Sequence, residues 1–324
     1  APPVPAAAIA TRKVLMAKGG EAEKSNRAGR AAQERARQVI EDQRRQRVRR
    51  QQLIAAAVGV GLVAVVVAVM VFVKLTSSDD TAPTAAPTGQ AAADVVRTVT
   101  TVPAGVLDQV GKGKVNALPK AVTGLAALTA DGKPAVVYIG AEYCPFCASQ
   151  RWAVVVALSR FGTFTNLGLT HSASDDVFPN TATLTFHGSS YTSQVLAFQG
   201  VETAGNERKG NGYAPLDSLT QQQHQLITTV NAPPYVPKDA AGSIPFLDIG
   251  NRYVISGGSF SPGLLKGRSA AEIAAELSRP DSAITRAVVG AANAITTAIC
   301  KITNDQPAEV CTGSAAKAYA GSLG

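Results

Sequence analysis

Histidine is scarce in this sequence, with 3 among 324 residues, His171, His187 and His224. None stands at metal-ligand spacing from another, and the four cysteines fall as Cys144 with Cys147 and Cys300 with Cys311, which is not a four-ligand zinc pattern. No metal or other cofactor is therefore expected, and no Ser, His and Asp grouping reads as a catalytic triad. Basic excess is also lacking over most of the chain. Residues 1–52 hold 13 Lys and Arg against 5 Asp and Glu, which accounts for the whole net charge of +8, and the rest carries 18 of each sign. The basic character belongs to a tail, so no nucleic-acid partner is expected. No internal repeat is present.

Charge is missing most completely from residues 53–73, LIAAAVGVGLVAVVVAVMVFV. As a helix, 21 residues span roughly 30 Å, the thickness of a bilayer's hydrocarbon core. Arg44, Arg45, Arg47, Arg49 and Arg50 crowd the N-terminal side, whereas Lys74, Asp79 and Asp80 follow. The positive-inside rule then places residues 1–52 in the cytoplasm and the chain beyond about residue 76 outside. A buried soluble helix and a cleaved signal peptide are the competing readings. The run starts too late for a signal peptide and is too long for its apolar core, which favours an uncleaved single-pass anchor.

Residues 1–52 read as a basic cytoplasmic arm, helical by composition and lying near anionic headgroups. Residues 75–93, small and polar with two prolines, read as a flexible tether, and residues 94–324 as the extracytoplasmic domain.

Within that domain, KPAVVYIG at 133–140 suits a buried strand, and the segment after Cys147, ASQRWAVVVAL, suits a helix with Trp152, Val155, Val156 and Leu158 on its apolar face. Cys144-Pro145-Phe146-Cys147 thus sits at a strand-to-helix junction. Unpaired N–H groups of a helix's first turn favour thiolate at Cys144, and Pro145 fits the first helical position, where its missing N–H costs nothing. Cys147 follows close enough to pair with Cys144. A structural disulfide remains the alternative to a redox pair.

Downstream, Phe246, Leu247 and Ile249 suit a strand, Gly250-Asn251 a tight turn and Tyr253 to Ile255 a second strand. The intervening residues 160–240 include strand-like stretches at 181–186 and 194–201 and a helix-like one at 216–230. Ser269 with Glu272 marks a helix N-terminus, and a longer helix is expected over 281–302. Cys300 and Cys311 flank a turn and are expected to form a structural disulfide, in keeping with an oxidising compartment.

Residues 115–280 resemble the thioredoxin superfamily. The wording GAEYCPFCASQRW, TFHGSSYTS and ICKITNDQPAEVC is similar to a group of membrane-anchored thioredoxin-like proteins catalogued as domain-of-unknown-function family 929. The resemblance implies a thioredoxin-like α/β domain with an insertion, in which Ile244-Pro245 is a cis bond facing the cysteines and binding the substrate backbone. The site departs from thioredoxin, which carries Gly-Pro between its cysteines and Trp before the first, where Tyr143 stands here.

The expectation is therefore an extracytoplasmic thiol–disulfide oxidoreductase acting on the thiols or disulfides of exported proteins, recharged by a redox partner. Cys144, Pro145, Phe146 and Cys147 form its reactive site and Ile244 and Pro245 its substrate contact. The alternative is a non-catalytic assembly subunit of a membrane complex built on the same scaffold.

Overall fold

The computed structural model describes residues 86–323, all within the compact unit Thr81–Gly324. The arm, the 53–73 anchor and most of the tether lie outside the described residues.

Gln90, Ala91, Ala92 and Ala93 are good helix formers, and α1 (Gly89–Thr100) starts inside the stretch expected as tether. A short α2 (Ala104–Val110) follows. The central strand is β3 (Lys133–Gly140), after the two-residue strands β1 (Lys120–Ala121) and β2 (Thr129–Ala130). From β3 the chain enters α3 (Pro145–Leu158). It then forms β4 (Gly162–Thr165), β5 (Gly168–His171), β6 (Ala182–Thr185) and β7 (Ser190–Ser193), which pair off as β4 with β7 and β5 with β6. It returns to the main sheet as β8 (Ala197–Glu202). A hairpin of β9 (Ala204–Lys209) and β10 (Gly212–Pro215) leads to α4 (Gln221–Gln225) and a π-helical turn at Leu226–Val230. Then come the hairpin β11 (Phe246–Ile249) and β12 (Tyr253–Ser256), α5 (Ala270–Glu276), the long α6 (Ala283–Ile302), α7 (Ala308–Cys311) and α8 (Ser314–Lys317).

The result is a mixed α/β fold. Its main sheet is mixed, with β3 parallel to β8 on one side and antiparallel to β11 on the other, and β12 and β1 beyond β11. Alternation along β3 divides the core between the two faces. Val136 and Tyr138 join the larger cluster, where α3 packs on α6, while Ala135, Val137 and Ile139 join a smaller one closed by Leu226 and Val230.

Two expectations needed adjustment here. Residues 216–230 are not one helix, because Leu216 and Asp217 donate backbone hydrogen bonds to Thr203 and Glu202 and so extend sheet pairing, and the helix starts only after the capping box of Thr220 and Gln223. The strand-like stretches 181–186 and 194–201 form β6 and β8 as expected, in different sheets. And α3 has no solvent face beyond Phe146. Packed against α6 and β6, it buries Ser149, Gln150 and Arg151 as fully as Trp152.

Helix α6 is long and apolar enough to cross a membrane, yet 89% of its apolar stretch is buried inside the domain. It reads as a core helix by that burial.

Candidate functional site

Strand β3 delivers the chain to the cysteines through Gly140, where a side chain would collide with the Tyr138 ring and hydroxyl, its Cβ falling 2.5 Å from Tyr138 Oη. Cys144 is the N-cap of α3 and Pro145 its first residue. The Cys147 backbone N–H donates to Cys144 Sγ at 3.3 Å. Cys144 is 7% exposed, Cys147 is fully buried, and both are free thiols.

The two sulfurs are set apart chemically. A hydrogen bond from the Cys147 thiol, the backbone N–H of Cys147 and the charge of Arg151 hold the Cys144 thiol below its ordinary pKa, against the opposing effect of burial. Burial pushes the Cys147 thiol well up, reinforced by Cys144. Of the two, Cys144 is the sulfur held toward its thiolate and Cys147 the one held toward its thiol.

Behind them lies a charge pair that sequence reasoning missed. Arg151 donates to Glu202 through Nε and Nη2, both at 2.7 Å, and through Nη2 to the Ala141 carbonyl at 2.7 Å. Neither side chain of the pair is exposed. Burial works to lower the Arg151 pKa, but Glu202 and Tyr138 outweigh it and keep the guanidinium charged. Burial pushes the Glu202 carboxyl up, with Arg151 pulling against it. The available signal was spacing: Arg151 lies four residues after Cys147 on one helix, hence on the same face.

The Ile244–Pro245 peptide is cis. The Ile244 carbonyl oxygen lies 3.9 Å from Cys144 Sγ, which places the two expected substrate-contact residues beside the cysteines. Gln150 Oε1 accepts from the Ser259 N–H at 2.8 Å and fixes the loop after β12 against α3.

On the other flank, Tyr143 stacks on Tyr213 of β10, 4.2 Å between centroids, and Arg208 lies over the far partner at 4.4 Å. Asp175 ties Arg208 and the Tyr213 hydroxyl together. These contacts also escaped the sequence reading. The histidines stand elsewhere: His171 near Asn206, His187 on Asp217, His224 in α4. Among the described residues no cluster of His, Cys, Asp and Glu could hold a metal ion. Cys300 and Cys311 are joined in a disulfide with Cα atoms 5.6 Å apart, away from the free pair.

The domain is thus a mixed α/β scaffold presenting two free thiols of unequal acidity at the start of a buried helix. The chain belongs to the family described as domain of unknown function (DUF929), whose family model matches residues 123–301, more than half of the sequence and inclusive of Cys144, Cys147, Ile244 and Pro245. No curated protein and no solved structure is significantly similar to it.

Proposed function

We propose that this protein is a membrane-anchored, extracytoplasmic thiol–disulfide oxidoreductase with a thioredoxin-like domain. One observation carries the reading: Cys144 caps α3, accepts the Cys147 N–H and is held toward its thiolate, while Cys147 is buried directly behind it. The order β8-β3-β11-β12 supports the thioredoxin-like assignment. So does the crossover through α3 between the parallel strands β3 and β8, together with the cis-proline at the start of β11.

In the reducing direction, the Cys144 thiolate attacks one sulfur of a substrate disulfide. A Cys144–substrate disulfide forms and the other substrate sulfur leaves as a thiolate. Cys147 then loses its proton and attacks the Cys144 sulfur, which closes the Cys144–Cys147 disulfide and releases the second substrate thiolate. Two electrons pass from the protein dithiol to the substrate, and a partner dithiol must restore the pair. The oxidising direction reverses each step. The Ile244 carbonyl stands where an extended substrate's backbone N–H can reach it.

The anchor rests on residues 53–73 and the outward placement on the flanking charges. The Cys300–Cys311 disulfide accords with an oxidising compartment.

Cys144's low exposure favours a second reading, an assembly subunit that keeps the scaffold without turnover. Insulin reduction by the full chain in detergent decides between them. Turnover abolished by Cys144→Ser supports the enzyme, and equal rates for both proteins refute it.

A further inference from the structure

We infer that residues 173–180, a loop of the inserted segment, together with Phe146 and Leu264 form a docking ledge for an apolar side chain next to the reacting cysteine of an extended polypeptide substrate. This rests on the oxidoreductase reading and specifies its substrate class.

Among the described residues three large apolar side chains are exposed: Phe146 at 40%, Val177 at 49% and Leu264 at 36%. Distant in sequence, they lie on segments that meet at one ring, Phe178. Phe178 meets Phe146 edge-on with centroids 6.0 Å apart. Its other side lies on Gly263, where an added Cβ would come within 3.0 Å of Phe178 Cε1. Val177 precedes Phe178 and Leu264 follows Gly263. An exposed apolar group of this kind marks a contact surface more often than chance scatter does.

The ledge is built rather than loose. The Ala173 N–H donates to the Tyr143 carbonyl at 2.9 Å, which ties the loop to the residue preceding Cys144. Asn180 N–H closes the loop on the Ala173 carbonyl, and the hydroxyls of Ser172 and Thr181 both donate to the Phe178 carbonyl. A surface held in this way loses little entropy when occupied.

Position selects the occupant. The loop is tied to Tyr143 and touches Phe146, residues on either side of Cys144 in the chain, so a chain whose cysteine reaches Cys144 lays its neighbouring residue on the ledge. Within the loop, Asp175 is turned to Arg208 and the Tyr213 hydroxyl beside the Tyr143–Tyr213 stack, which leaves Val177 and Phe178 as its apolar part. The apolar route over Phe146 remains. An extended chain satisfies both the ledge and the Ile244 carbonyl, whereas a folded surface with a recessed disulfide satisfies neither.

The test uses the full chain in lipid nanodiscs, with two disulfide-bonded peptides that differ only in Leu or Ser beside the attacked cysteine, and with dithiobis(nitrobenzoate) as a small disulfide. Wild type should prefer the Leu peptide in kcat/KM by about tenfold, the worth of burying one apolar side chain. Val177→Ser/Leu264→Ser should abolish that preference, and Leu264→Ser alone should reduce it, with unchanged thermal unfolding midpoints. Wild type without Leu-over-Ser preference overturns the ledge while reduction of the small disulfide keeps the oxidoreductase reading. Loss of small-disulfide reduction in wild type sinks both. A wild-type dimer that the double variant dissociates, or an equal loss on both peptides, would reassign the surface to self-association or lipid and overturn the inference.

Discussion

Arg151 and Glu202 meet through two parallel 2.7 Å hydrogen bonds with both side chains wholly out of solvent, one helical turn behind Cys147. Two charges so deeply buried are tolerated because each compensates the other and Arg151 also reaches the Ala141 carbonyl. The arrangement links the stability of the scaffold to the acidity of the site.

Removing one partner leaves the other as a lone buried charge. Arg151→Met and Glu202→Leu should each lower unfolding free energy by about 3–5 kcal/mol, and Arg151→Met/Glu202→Leu should recover most of that loss. Urea denaturation of the four proteins reads the cycle. Additive losses in the double variant would contradict the pairing.

Thiolate absorbance near 240 nm should rise at a lower pH than for an ordinary thiol, and Cys144→Ser should remove that step. Cys147→Ala deletes the thiol that donates to the Cys144 sulfur and should move the step upward. Because folding depresses this pKa, the thiolate's contribution to stability is complete above the unfolded value, 9.0, and disappears as pH falls through the folded one. The stability gap between reduced wild type and Cys144→Ser should therefore widen with rising pH across that window.

Asp248 behaves oppositely. It lies fully buried in β11, where burial raises its pKa to about 7 against the pull of the Asn251 N–H, and its second oxygen has no hydrogen-bond partner. Between the unfolded value of 3.8 and about 7 the native state holds the extra proton, so stability falls as pH rises through that range. Asp248→Asn keeps an acceptor for Asn251 and should be more stable than wild type at pH 8, by on the order of 1–3 kcal/mol. Chemical denaturation at pH 5 and pH 8 checks this, and a parallel decline in both proteins would refute it.

The Cys300–Cys311 bridge joins residues 11 apart at the end of α6. Replacing both by Ala should lower stability by about 2–4 kcal/mol through the freed unfolded chain. Thermal and urea unfolding of the oxidised full chain would show it, and an unchanged midpoint would mean that native packing alone fixes the turn.

What could be read in advance was local. Proline at the first helical position, the apolar run of β3, the Ser269–Glu272 capping box and the Gly250-Asn251 turn each depend on neighbouring residues, and each element formed where expected, with both turn residues at positive φ. Arg151 finds Glu202 across 51 positions, and Tyr143 finds Tyr213 across 213 − 143 = 70, distances over which periodicity carries no signal. The full burial of α3 was hidden for a related reason. Ser149, Gln150 and Arg151 look like a solvent face until the partners that enclose them are known.

Of the fourteen residues in α3, all but Phe146 are enclosed. The reactive helix therefore offers one adjustable handle. A substitution there reshapes what approaches the sulfurs while leaving the interior undisturbed, whereas a change at any of the other thirteen positions is first a change to the core. Under the proposed oxidoreductase reading, a change of substrate begins with a single side chain.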